Sequence, residues 1–291
     1  MKPLKKHLSI SEQVELMKSR GLIIRDDSAA QAALAHINYY RLSGYLHSFK
    51  VEGSDHYAAG LTWERLQRIY DFDRKFTQIL MFALEDIEET LKTRFSYILS
   101  SEYPEEPLIY LDTSIYRDQN AYQRFVRHFE REIQNNRKLP FVKHHIENYD
   151  TKFPIWVAVE LFTMGNLHAV YDNLVTPLQK KIARSFQTGP VQLASWIENL
   201  TYTRNHLAHF MRIYKFNFGR TFVECKYHPF PAVHTHMIFD QIFIMKCLYS
   251  TPQEWNAYVL PQLQALFEDY QLEVQLMDLG FPENWESVIK M

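Results

Sequence analysis

The sequence predicts an all-α protein, a multi-helix bundle with an N-terminal helical extension. Eight glycines and twelve prolines in 291 residues leave little material for the repeated tight turns of a sandwich or barrel. From Thr62, a good N-cap, apolar residues recur at helical spacing as Leu66, Ile69, Phe76, Leu80, Ala83, Ile87, Leu91, Phe95 and Ile98. No Gly-rich phosphate loop between a strand and a helix is present.

Residues 9–35 read as two short helices, the second opened by Asp26-Asp27-Ser28. The stretch INYYRLSGYLHSF, 37–49, crowds aromatic residues around Gly44, which weakens helix there, and the polar VEGSDHYAAG that follows is a loop. The long segment from Thr62 can form one wall of a bundle and is ended by the prolines of SEYPEEPLIY. A helix from about Asn120 to Asn135 buries Tyr122, Phe125, Val126, Phe129 and Ile133, and places Arg124, Arg127, His128 and Arg131 together on one basic face. FPIWVAVELFTMGNLHAVYDNL reads as a buried helix, with Gly165 as the point where it would be interrupted. A short helix over Pro177 to Phe186 precedes one that opens at Thr188-Gly189-Pro190 and runs to about Tyr214. KFNFGRTFVECKYHPFP is poorly periodic, a hairpin or an ordered loop, and helices follow from about Val233 to Tyr249 and from about Pro252 to Tyr270. The segmentation that results is an N-terminal helical part, 1–60, a central bundle, 61–250, and a C-terminal helix with tail, 251–291.

Composition narrows the function classes. The basic N-terminus lacks the apolar stretch of a secretory signal, and MIFDQIFIMKCLY is interrupted by Asp240 and Lys246, so a cytoplasmic protein without membrane contact is expected. Cys225 and Cys247 have no metal-site or redox spacing and read as small buried hydrophobes in a reducing compartment. The net charge of −2 hides a segregation, since residues 116–145 carry seven Lys or Arg against three acids.

Within TYTRNHLAHF, Thr201 to Phe210, an arginine, an asparagine and two histidines fall in six residues. Arg followed by His after four to six residues occurs three times, as Arg204–His209, Arg41–His47 and Arg137–His144, where about two are expected by chance. Pro140 interrupts the last and Gly44 weakens the second, which leaves Arg204–His209 as the pair inside a strong helix. Its apolar line is Leu193, Ile197, Leu200, Arg204, Leu207, Met211 and Tyr214, so a permanent cation sits on the greasy side. Five residues of helix set Arg204 and His209 about 140° apart, whereas Asn205 and His209 share a face.

These groups suit RNA cleavage by 2′-hydroxyl transesterification. His209 can take and return protons near neutral pH, Arg204 offers a fork of donors to a phosphorane, and Asn205 can orient either one. The chemistry needs no metal or other cofactor. His206 joins Arg124, Arg127 and Arg131 as candidate RNA contacts.

Arg204-Asn205-x-x-x-His209 near the end of a bundle helix resembles the Arg-x(4 to 6)-His signature of HEPN ribonucleases. INYYRLSGY (37–45), YDFDRKFTQILMFALEDIEETLKTRF (70–95), PIWVAVELFTMGNL (154–167), RNHLAH and GFPENW (280–285) resemble the Abi-like proteins of bacterial abortive-infection systems, a HEPN-bearing group. The resemblance implies a HEPN-type bundle and a homodimer whose two Arg-His pairs share a composite cleft. It also implies a phage-defence or toxin-like ribonuclease that an antitoxin or a regulatory RNA or protein would hold silent.

Blander readings stand beside these. Arg204 can be a buried arginine paired with Glu88 or Glu160, and the basic helix face can be merely solvated or can bind RNA without cleavage. Glu85, Glu88 and Glu89 read as a solvated carboxylate face with a Glu88–Lys92 pair. Arg94 reads as a core salt-bridge partner or a support of the site, and Tyr39 and Tyr40 as packing or as platforms for bases. His206 and His209 lack the third and fourth ligands of a metal site.

Overall fold

The computed structural model of the protein describes residue 4 and residues 6–291, among which no β-strand forms and helices carry the architecture. The fold class is all-α, as the sequence predicts. The N-terminal part holds α1 (Ile10–Ser19), α2 (Asp27–Leu34) and α3 (Tyr39–His47). Ser9 and Glu12 exchange a capping box at α1, and Asp26 accepts the amide of Ala29 to open α2. Asn38 Oδ1 takes the Tyr40 amide at 2.7 Å to start α3, which runs straight through Gly44. The expected weakness at that glycine is not a break, because Leu42, Tyr45 and Leu46 anchor the helix on its buried side.

The spine is α4 (Trp63–Glu102), forty residues and about 60 Å long. Thr62 caps it, and it ends at Tyr103, which leaves the α region ahead of Pro104, since a following proline disfavours helical backbone. Its buried residues follow the predicted line, and α3, α7 (Ile155–Ala158), α9 (Thr176–Ser185), α10 (Pro190–Ala208), α11 (Ile238–Leu248) and α13 (Leu260–Asp269) all pack against it. Phe72 and Phe76 are fully buried there, each worth about 1.5–3 kcal/mol of apolar transfer.

On the far side, α5 (Gln119–Asn135) is capped by Asp118 and buries Tyr122, Phe125, Phe129 and Ile133 against α8 (Met164–Asn173). Along the chain, α6 (Pro140–Asn148) follows α5. The single buried helix expected over 153–174 is two helices. Phe162 turns extended into an aromatic cluster with Phe95, Phe125 and Phe129, and Thr163 then caps α8 through the Asn166 amide, so the break lies ahead of Gly165.

Residues 215–237 form an ordered loop with one bridge, Cys225 to His228. The buried Asp240 carboxylate accepts the amides of Thr235 and His236, and α11 begins at Ile238 instead of Val233. The helix expected over 252–270 is α12 (Pro252–Glu254), a π turn (Trp255–Val259) and α13. Pro261 has no amide hydrogen and its ring crowds the preceding turn, which the wider turn relieves. The tail, with α14 (Trp285–Ile289), returns to the core: Trp255 Nε1 donates to the Ile289 carbonyl at 2.8 Å, and Phe281 packs on Phe76, Phe239 and Phe267. Residues of 1–60, 61–250 and 251–291 thus contribute to one buried apolar cluster.

Gly280 sets that return. Its φ is +82°, and a Cβ there would run into Thr235 Oγ1 and come within 2.9 Å of Met237 Cβ. Gly280→Ala should therefore cost about 2 kcal/mol or more. Denaturant unfolding of both proteins checks it, and an unchanged midpoint would show that the tail is not locked by this contact.

Candidate functional site

The residues TRNHLAHF lie at the C-terminal end of α10, and the helix stops at Ala208 instead of running to Tyr214. His209 is the C-cap, with its amide 3.1 Å from the Asn205 carbonyl. Phe210 takes a left-handed conformation (φ +55°), its amide bonds to the Leu207 carbonyl, and the Met211 amide returns to the His206 carbonyl at 3.1 Å. This is a Schellman-type stop with phenylalanine where glycine is usual.

A buried carboxylate explains the stop. Asp73 of α4 accepts the Ile213 amide at 2.8 Å and the Tyr214 amide at 3.1 Å, which holds the chain away from a helical path. Tyr45 donates its hydroxyl to the same carboxylate, and Arg212 lies close enough to act on it electrostatically. Burial still dominates and pushes the Asp73 carboxyl up to about 6. Arg41 of α3 completes the turn by donating to the Phe210 carbonyl at 2.6 Å.

Arg204 is brought to Glu88 of α4, with its Nε 3.8 Å from Oε2, and Glu88 also takes Lys92 Nζ at 3.0 Å. The arginine is not buried, since 41% of its side chain is exposed. It borders a cavity of about 460 Å³ together with Glu88, Glu132, Glu160, Thr163 and Phe141. Glu88 is 19% exposed and ties two helices, so it is not part of a solvated face; Glu85 and Glu89 are. Asn205 and His209 are exposed at the helix end, beside Phe210 and Met211, which are 67% and 53% exposed.

His206 sits inside the turn and not on the surface with the other candidate RNA contacts. Its Nε2 is 2.8 Å from the Arg212 carbonyl, its ring centroid is 4.3 Å from that of Phe216, and burial lowers its pKa. Arg124, Arg127 and Arg131 are exposed on α5 and, among the described residues, carry no ion pair. Arg94 donates to the Ser185 carbonyl and lies 4.4 Å from the Phe186 ring; among the described residues it makes no salt bridge and does not touch the motif. No group of three or more His, Cys, Asp or Glu among the described residues is arranged to hold a metal ion. No helix among them is long and apolar enough to cross a membrane.

Asp73, Arg41, Tyr45 and Arg212 were missed as site residues. A signal existed for Asp73, a carboxylate on the apolar line of α4 between Ile69 and Phe76. Arg41 and Tyr45 lie within INYYRLSGY, where Arg41 stands out in sequence only as half of an Arg-to-His match weakened by Gly44.

The model of the Abi-like protein family matches residues 32–215, well over half of the chain. The chain belongs to the Abi-like protein family. No curated protein and no solved structure matches it. The Abi-like match opens in α2, takes in α3 and the whole of α4, and closes one residue after Tyr214, the second residue pinned by Asp73. It encloses the motif and every group that ends α10, whereas GFPENW lies beyond it.

Two buried groups give the turn opposite responses to acid. Asp73, raised from 3.8 to about 6, contributes stability that is present below 3.8 and lost as pH rises through about 6. His206, lowered from 6.5, contributes stability that is present above 6.5 and lost as pH falls. Asp73→Asn removes the compensating proton uptake, so its stability should fall more steeply than wild type between pH 6.5 and pH 4. A pH series of urea midpoints checks this, and parallel curves would show that Asp73 does not titrate in that window.

Proposed function

We propose that the protein is a HEPN-type, metal-independent endoribonuclease that acts in phage defence by abortive infection. The observation that carries this reading is the placement of Arg204, Asn205 and His209 at the exposed end of α10, inside the segment that matches the Abi-like family. A 2′-hydroxyl attacks the adjacent phosphorus and the bond to the 5′-oxygen breaks, leaving a 2′,3′-cyclic phosphate and a 5′-hydroxyl. His209 takes the first proton or delivers one to the leaving oxygen, Arg204 neutralises charge on the phosphorane, and Asn205 orients the imidazole or the phosphate.

The site is composite in this reading. Arg204 and His209 lie about 140° apart around the helix, and a second copy brings the missing partner of each pair into one cleft. Met211, apolar and exposed two residues beyond His209, gives that copy a surface to cover. An antitoxin or a regulatory RNA or protein that covers the same end would silence the enzyme.

A second reading rests on the exposed basic face of Arg124, Arg127 and Arg131, which has no ion pair among the described residues and fits a protein that binds RNA without cutting it. Purified protein incubated with mixed RNAs in EDTA separates the two. Arg204→Ala and His209→Ala should each slow cleavage by about 10²–10⁴-fold with melting temperature unchanged. Cleavage that persists in both variants, or none of any RNA, overturns the catalytic reading. Salt-steep binding without cleavage, lost on replacing the three arginines by glutamine, establishes the second.

A further inference from the structure

INYYRLSGY, 37–45, takes no part in the proposed chemistry, yet it lines the open space beside the motif. Two cavities flank Arg41. One of about 680 Å³ lies between α3 and α4 and is bordered by Asn38, Tyr70, Arg74 and Gln78. The other, about 440 Å³, lies between α3 and the turn after α10 and is bordered by Tyr40, Gly44, Phe210 and Arg212. Both fall within the about 300–1,000 Å³ typical of ligand sites, and Arg41, Tyr45 and Met211 border both.

Gly44, exposed aromatic rings and exposed arginines meet at this cleft. Gly44 stands in the middle of α3, where glycine weakens a helix relative to alanine, although a Cβ there would meet nothing within 4 Å. Its missing side chain leaves room in the smaller cavity. Phe210 is held in the left-handed region, unfavourable for a bulky residue, with its ring in solvent. Tyr40 is 84% exposed at the same mouth. Arg41 is exposed and, among the described residues, has no ion pair; Arg74 has only Asp71, at 4.0 Å and in solvent.

We propose that this cleft is a subsite for one nucleotide unit of single-stranded RNA. The base enters the space left by Gly44 and stacks on Phe210 and Tyr40, while its phosphate meets the guanidinium groups of Arg41 and Arg74. Stacking on exposed rings is tolerant of base identity, and arginine's planar fork matches phosphate oxygens. Phe210 directly follows His209, so a strand seated here is aligned with the imidazole. The subsite rests on the RNA reading but not on cleavage.

Binding of a fluorescent single-stranded oligonucleotide with 2′-O-methyl riboses, which cannot be cut by 2′-hydroxyl attack, tests it. Gly44→Leu fills the smaller cavity and Phe210→Gly removes the ring while relieving the left-handed strain. Each should weaken binding about fivefold or more. The melting temperature should be no lower than wild type for Gly44→Leu and higher for Phe210→Gly. Wild-type affinity in both variants, or no binding by the wild type, overturns the subsite. Adenosine monophosphate that binds without displacing the oligonucleotide overturns the strand assignment in favour of a free nucleotide. Cleavage that survives Arg204→Ala and His209→Ala sinks the catalytic assignment alone, because weakened binding in Gly44→Leu and Phe210→Gly still supports the subsite.

Discussion

The carboxylate of Asp73 lies wholly inside the core, and the two backbone amides it accepts from Ile213 and Tyr214 determine where α10 stops. The apolar line of that helix continues through Met211 to Tyr214, so local pattern alone favours six more residues of helix. Burying a carboxylate is expensive, and it is tolerated here because two amides and the Tyr45 hydroxyl satisfy it. Continuing the helix would tie up those amides and leave the carboxylate unsatisfied. That penalty exceeds the roughly 1–2 kcal/mol of placing Phe210 in the left-handed region.

From that stop follows the geometry of the motif. Arg204 remains on the regular part of the helix, facing α4 and its acids, whereas His209 closes the last turn among exposed residues. The contact between Arg204 and Glu88 is long, 3.8 Å, and the arginine is half-exposed, so it is worth no more than about 1 kcal/mol. Glu88 is the more committed partner, since Lys92 holds it at 3.0 Å. A phosphate that offers two oxygens to the guanidinium competes well against a single distant carboxylate oxygen. Glu88 thus parks the arginine without locking it.

Features that depend on local sequence were legible. Thr62 and Asp26 cap the helices they were expected to cap, the stripe of α4 is buried, and the arginines of α5 face solvent. Features set by contacts distant in sequence were not. The end of α10 depends on a carboxylate 140 residues earlier, and the break before α8 on aromatic residues from α4 and α5. Arg204 on the greasy line was the visible half of the site, explained by Glu88 in part and by a cavity in part. His206 illustrates the reverse error: its position beside the motif invited a surface role, whereas the turn it fills exists only because the helix ends early.

The three Arg-to-His matches cannot be ranked by helical continuity, because Arg41 and His47 lie wholly within α3 while Arg204 and His209 straddle a helix end. What separates them is what each arginine does. Arg41 gives a hydrogen to the Phe210 carbonyl and lies 5.8 Å from the Phe210 ring, so one of its donors shapes the turn that follows His209. Among the described residues Arg204 has only a weak partner, and it borders open space. The match in INYYRLSGYLH is therefore not a competitor of the one in RNHLAH. Its arginine stabilises the carbonyl of a strained residue, and with Asp73 it holds the end of α10 in a conformation that local propensity opposes.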